Sequence, residues 1–224
     1  MGKIEGIRIQ NYGPLKDITL GKTLSHPNTK ALGNLVSVIG ASGNGKSTFA
    51  DAFGFIADCL EIGAEAACDA NNRGGYDQIQ TQGSNNPISF ELCYRESGNV
   101  RPIIYELVID KDSLGRPFVK EERLRQRVKS IGRPLSFMYL QNGKGYVFEG
   151  LESGQDDDGS IIGNKVDVEL ADIRKPGIVT LGIMRQYERV VEFLTFLRGW
   201  YLCYFSPDAA RKVQTEAPQP YLDR

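Results

Sequence analysis

One histidine and four cysteines are all that this 224-residue chain offers for soft metal or nucleophile chemistry. His26 stands alone in the loop Ser25-His26-Pro27-Asn28, so a Ser-His-Asp triad or a zinc site is disfavoured. Cys59, Cys68, Cys93 and Cys203 show no C-x-x-C spacing and sit in largely apolar or polar-neutral surroundings, which reads as buried free thiols. No run of about 18 apolar residues is present, so no membrane-spanning helix is expected. Met1 to Ile9 has no apolar signal region, and the expected compartment is the cytoplasm. Charge of one sign is missing too: the net charge is −1, which gives no global pull toward nucleic acid or a lipid surface. No internal repeat or low-complexity segment is visible. What remains, 41% hydrophobic and 25% charged, is an ordinary globular composition with material for a large core.

Against that plain background one stretch stands out, Leu35 to Thr48, LVSVIGASGNGKST. Gly40-Ala41-Ser42-Gly43-Asn44-Gly45-Lys46-Ser47 matches the phosphate-binding pattern G-x-x-x-x-G-K-[ST] in full. Leu35 to Ile39 predicts a buried strand before it. Phe49, Ala52, Phe53, Ile56, Ala57 and Leu60, at three- and four-residue spacing, predict a helix over 46–62 after it. The residue types follow from the chemistry. A phosphate chain is wrapped by backbone N–H groups, which requires glycine where a side chain would block the approach or forbid the turn. Lys46 is placed for the β- and γ-phosphates, Ser47 for Mg²⁺, and Thr48 for the α-phosphate. The candidate nucleotide-binding residues are therefore Gly40, Ala41, Ser42, Gly43, Asn44, Gly45, Lys46, Ser47 and Thr48, with Ser47 the candidate magnesium ligand. A glycine-rich turn that binds nothing is the plainer alternative.

Around this motif the pattern divides into three parts: 1–86, 87–151 and 152–224. Ile4, Ile7 and Ile9 predict a first strand that turns at Gly13-Pro14, with a short return strand over 17–20. Residues 71–86, rich in Asn, Gly and Gln, predict a long loop containing Arg73-Gly74-Gly75. Ile88 to Tyr94, Ile104 to Ile109 and Phe118 to Val128 alternate with period two. Phe137 to Leu140 and Tyr146 to Phe148 flank Gln141-Asn142-Gly143-Lys144-Gly145, a hairpin signal. Together they predict an antiparallel meander over 87–151. Residues 165–184 are ambiguous, 185–198 read as a helix capped by Gly199, and 200–205 as an apolar strand-like segment.

Other charged groups have bland alternatives. Asp156-Asp157-Asp158 suits a metal but reads better as a solvated acidic loop. Arg123, Arg125, Arg127 and Lys129 fall on one strand face and are the candidate DNA contact; a solvated outer face, offset by Glu121 and Glu122, is favoured. A hydrolysing P-loop enzyme also needs a carboxylate at the end of a second apolar strand. Asp110 and Asp208 are the nearest candidates, and neither has the right context. A guanine-selective N-K-x-D string does not occur; Asn142-Gly143-Lys144 lacks the acid.

The order of these parts resembles the ABC-type ATPases of the RecF, structural-maintenance-of-chromosomes and overcoming-lysogenization-defect group, often described as AAA-type ATPases of DNA repair and antiviral defence. The resemblance rests on Asn11-Tyr12-Gly13-Pro14-Leu15, the P-loop, the Arg-Gly-Gly loop and the meander, about two-thirds of the chain. It implies an α/β fold: a P-loop NTPase core with a mixed sheet, an antiparallel β-meander lobe, and a C-terminal lobe missing from this chain. It implies ATP and Mg²⁺ as ligands, a homodimer or a completing second chain, and DNA or an effector protein as partner. Gln80 or Gln82 would serve as the magnesium-sensing glutamine, although an ordinary polar loop residue is the simpler reading. The chain departs from the group in having no recognisable signature motif, Walker B acid or switch histidine, which leaves the catalytic residues unassigned. The expected function is an ATPase head whose nucleotide-dependent dimerisation controls DNA or an effector. The alternatives are a subunit that binds nucleotide without hydrolysing it and, less favoured, a small-molecule kinase.

Overall fold

A computed structural model of the chain describes residues 2–95, 102–126, 134–149, 164–183 and 188–200. Its architecture is α/β, built on one open eight-stranded sheet in which every pairing is antiparallel. In chain order the strands are β1 (Lys3–Tyr12), β2 (Leu15–Gly21), β3 (Ile88–Arg95), β4 (Ile103–Lys111), β5 (Pro117–Gln126), β6 (Leu135–Gln141), β7 (Lys144–Glu149) and β8 (Asn164–Glu169). In space they run β2-β1-β3-β4-β5-β6-β7-β8. The helices are α1 (Lys46–Ile62), α2 (Ala64–Asp69), α3 (Tyr76–Ile79), α4 (Gly177–Ile183) and α5 (Glu188–Arg198). Among the described residues no helix is long and apolar enough to cross a membrane.

Period-two alternation explains the sheet. Ile7, Ile9, Phe90, Leu92, Tyr105, Leu107, Leu124, Met138 and Val147 are buried on one face, where α1, α2 and α5 pack. Phe55 of α1 meets Tyr12 and Phe90 at ring separations of 5.3 and 5.7 Å, and Phe193 of α5 meets Tyr94 and Tyr105 at 5.1 and 5.3 Å. Such pairs add about 1 kcal/mol each beyond area burial. The opposite face carries a row running strand to strand: Arg8, Glu91, Glu106, Arg123, Tyr139, Tyr146 and Asp167.

Three expectations are corrected. The sheet is not mixed but wholly antiparallel, and Leu35 to Ile39 do not form a buried strand. Leu35 and Ile39 are 92% and 89% exposed, and the segment joins no described ladder. β1, the strand next to the loop's helix, already has β2 on one side and β3 on the other, so both its hydrogen-bonding edges are used. The return strand and the meander appear where the alternation places them. Residues 71–86 are not one long loop, because Ala70–Asn72 form a 3-10 turn and α3 follows. The ambiguous region resolves into β8 and α4, and the expected helix is described over Glu188–Arg198. The three aspartates, Asp208, Cys203, Arg127 and Lys129 lie outside the described residues. The three described cysteines are buried and free, as expected, and His26 is exposed.

One inward residue on β5 breaks the apolar rule. Glu122 is fully buried, and its carboxylate accepts hydrogen bonds from Tyr105 Oη (2.8 Å), the Ile178 N–H (3.2 Å) and the Gly177 N–H. It thereby fixes the start of α4 to the sheet centre. Burial pushes its pKa from the ordinary 4.5 up to about 7, against the opposing pull of these three donors. A raised folded-state pKa means that the folded carboxyl still holds a proton which the unfolded one has released. Its stabilising share is therefore complete below the ordinary carboxylate range and is lost as pH rises through 7. The unfolding free energy of the parent relative to Glu122→Gln should fall by on the order of 3 kcal/mol between pH 4 and pH 8. Denaturant titrations of both proteins across that range check this, and a flat difference counts against it.

Candidate functional site

The glycine-rich loop leaves Ile39 and enters α1 at Lys46, where the apolar spacing predicts the helix. Gly43 and Gly45 have φ of +84° and +79°, the left-handed region that L side chains rarely adopt. Gly45 is the N-cap of α1. It offers no side-chain acceptor, and no acidic residue lies in the first turn. Helix starts are usually capped by Ser, Thr, Asp or Asn. Here the first N–H groups have no side-chain cap, which is the arrangement that receives an anion.

The loop's side chains are disposed accordingly. Ala41, Ser42, Gly43, Asn44 and Ser47 are exposed. Lys46 folds back over the loop, and its Nζ donates to the carbonyls of Gly40 (2.8 Å) and Ala41 (2.7 Å). Its charge thus sits against the first two residues of the loop. Thr48 turns the other way, toward the β1–β2 hairpin, where its Cγ2 is 3.0 Å from where a Cβ on Gly13 would lie. The residues present fit a phosphate chain: a helix start without a side-chain cap, an ammonium and an exposed hydroxyl. Ser47 is the residue here that would hold Mg²⁺.

The hairpin turn Asn11-Tyr12-Gly13-Pro14-Leu15 braces the loop from below. A Cβ on Gly45 would lie 2.9 Å from Leu15 Cδ2 and 3.5 Å from Pro14 Cγ, so glycine is needed there for space as well as for φ. The turn is itself pinned by residues 79–87. The Gly13 N–H donates to the Ile79 carbonyl, Thr81 Oγ1 to the Gly13 carbonyl, the Thr81 N–H to the Asn11 carbonyl, and Asn11 Nδ2 to the Pro87 carbonyl. Asn11, with φ +57°, uses the tolerance of asparagine for this conformation.

Helix α1 is anchored one turn beyond Ser47. Asp51 accepts from Tyr12 Oη at 2.5 Å and from Arg73 Nη2 at 2.9 Å. Arg73 also pairs with Asp58 at 2.5 Å, donates to the Ala67 carbonyl at 3.0 Å, and lies over the Phe55 ring at 5.4 Å. Its side chain is only 4% exposed. Burial, then the bond to Asp51, raises the Tyr12 phenol well above its ordinary value, so Tyr12 stays a donor. The sequence marks Arg73 only as part of an Arg-Gly-Gly loop. Tyr12, Asp51, Asp58 and Thr81 carry no sequence signal of their own, because their roles depend on elements that meet only in the fold.

The other candidates fall elsewhere. The Gln80 side chain donates to the Asn86 carbonyl at 2.8 Å, and Gln82 is exposed. Asp110 pairs with Lys120 at 2.7 Å. Arg123 and Arg125 do share a face, and there they meet carboxylates: Arg125 lies 2.7 Å from Glu106, Arg123 lies 3.0 Å from Glu121, and the Arg123 guanidinium covers the Tyr139 ring at 4.1 Å. A patch so matched presents little free charge to phosphate. Searches against known proteins identify no relative: no family model matches the chain, and no curated protein matches it significantly.

Arg73→Ala should lower the unfolding free energy by roughly 3 kcal/mol, since it leaves two carboxylates beside a lost buried guanidinium. A double-mutant cycle with Asp51→Asn should return a coupling above about 1 kcal/mol in denaturant unfolding. Strict additivity would show that the network does not hold α1.

Proposed function

We propose that the chain binds Mg-ATP on residues 40–48 and acts as an ATPase head of the ABC type. The observation that carries this is the uncapped start of α1 at a glycine-rich loop that matches the P-loop pattern, with Lys46 over the loop and Ser47 open. Backbone N–H groups would wrap the phosphates, Lys46 would neutralise the terminal ones, and Ser47 would hold the metal. The metal would draw charge from the phosphoryl oxygens. The resemblance to the RecF-like group supports ATP over GTP, and it supports a nucleotide-dependent homodimer, or a completing chain, acting on DNA or an effector. The P-loop core and the two-lobe head belong to this proposal.

The position of Asp51 favours nucleotide binding without turnover by this chain alone. It is the first carboxylate after the loop, and Tyr12 and Arg73 already claim it. Phosphoryl transfer to water needs an acid that orients the nucleophile and a further charge beyond the γ-phosphate.

Lys46→Ala should weaken Mg-ATP binding at least about thirtyfold, equivalent to roughly 2 kcal/mol of lost charge-assisted bonding. The fold should remain intact, because the two Lys46 bonds lie at the exposed loop. Isothermal calorimetry is the check, and equal affinity in parent and variant would refute the reading. ATP turnover by residues 1–224 should be slow and should rise steeply on adding a chain that completes the site; rapid, concentration-independent release of phosphate would show that the chain already holds its own catalytic carboxylate.

A further inference from the structure

β8 closes one end of the sheet, and its side chains alternate between two classes. Val166 and Val168 are half-buried and pack at the margin of the core. Lys165, Asp167 and Glu169 lie on the outer face and are exposed. Glu169 is held by Lys144 of β7 at 2.7 Å. Lys165 and Asp167 have no ion-pair partner among the described residues. Lys165 Nζ lies over the Tyr146 ring at 4.3 Å, and Asp167 stands opposite the same tyrosine. One edge of β8 bonds to β7; among the described residues no strand takes the other. Such an edge offers a row of backbone donors and acceptors to a further strand.

We infer that the chain forms a two-fold dimer in which β8 pairs antiparallel with β8 of a second copy, centred on Val166, so that the two eight-stranded sheets become one. Charges on an edge strand ordinarily discourage pairing. These are complementary to themselves. A two-fold axis at Val166 sets Lys165 opposite Asp167 of the second copy, and Asp167 opposite its Lys165, with the two Val166 side chains meeting between them on the core side. The neighbouring registers are worse. An axis at Asp167 brings two aspartates together and calls on Glu169, which Lys144 already holds. A shift by one residue sets valines against charges. The far edge of the sheet has no such pattern: on β2 an axis at its middle residue, Ile18, sets Asp17 opposite Thr19, and Asp17 already pairs with Arg8 at 2.7 Å. The β8 pairing leaves residues 40–48 untouched and holds whether or not the loop takes nucleotide.

Exchanging the two charges in the full chain, without nucleotide, tests the pairing by sedimentation equilibrium. The parent should dimerise, and more weakly as salt is raised. Lys165→Asp and Asp167→Lys each set like charges opposite one another twice, and each should raise the dimer dissociation constant at least about tenfold. Both substitutions in one chain restore the match and should return the constant to within about threefold of the parent. Mixing the two single variants should give a heterodimer tighter than either homodimer, because each substituted charge then meets the opposite sign. A parent that stays monomeric at high micromolar concentration, single variants that dimerise as the parent does, or a double exchange that recovers nothing would overturn the pairing. A second measurement does not depend on the charge variants folding. Directly opposed residues have Cα atoms about 4.5–5.5 Å apart, within disulfide range. Mild oxidation of Val166→Cys should therefore link position 166 of the two copies, read by peptide mass spectrometry, at least about tenfold more than Val168→Cys links position 168 to itself. Equal yields, or no link at 166, would also overturn it.

Discussion

The position of α1 depends on one buried cation. Arg73 reaches from the turn after α2 to Asp51 and Asp58, two turns apart on α1, and Asp51 is tied in turn to Tyr12 of β1. A guanidinium this deeply buried is tolerable only because its donors are taken by two carboxylates and a carbonyl and its face lies on Phe55. The same bonds set where α1 begins relative to the hairpin turn, and therefore where Lys46 and Ser47 stand. The glycine-rich loop inherits its placement from a network that begins four residues further along the helix.

The two faces of the sheet divide the remaining work. The inner face is aromatic and aliphatic and takes the helices, with Glu122 the single buried acid on β5, held by a phenol and two backbone N–H groups. The outer face pairs its charges across strands, so the two described members of the basic ladder, Arg123 and Arg125, both sit beside carboxylates. A charge counted along one strand is neutralised by the strand beside it, and Glu106 is the residue that does so.

The loop and the segment before it present opposite situations. Residues 40–44 and Ser47 are exposed and mostly polar or glycine, which costs little, whereas Leu35 to Ile39 are exposed and mostly apolar, which is unfavourable until something covers them. The segment cannot join the sheet beside β1, because β2 and β3 already occupy both edges of that strand.

The sequence by itself determined the elements whose signals are local. Helix α1 follows from 3.6-residue spacing, the meander from period-two alternation, the β6–β7 hairpin from Asn142-Gly143, and the glycine-rich loop from glycines that take positive φ. Only the tertiary structure decided the rest. That the sheet is antiparallel throughout, that Leu35 to Ile39 find no described strand, that Asp51 belongs to Tyr12 and Arg73, and that Arg125 faces Glu106 are facts about residues from 19 to 39 positions apart or more. Periodicity reports which face of an element is apolar. It carries no information about which other element will meet that face, because that choice is made by packing and charge pairing among segments brought together only when the whole core closes.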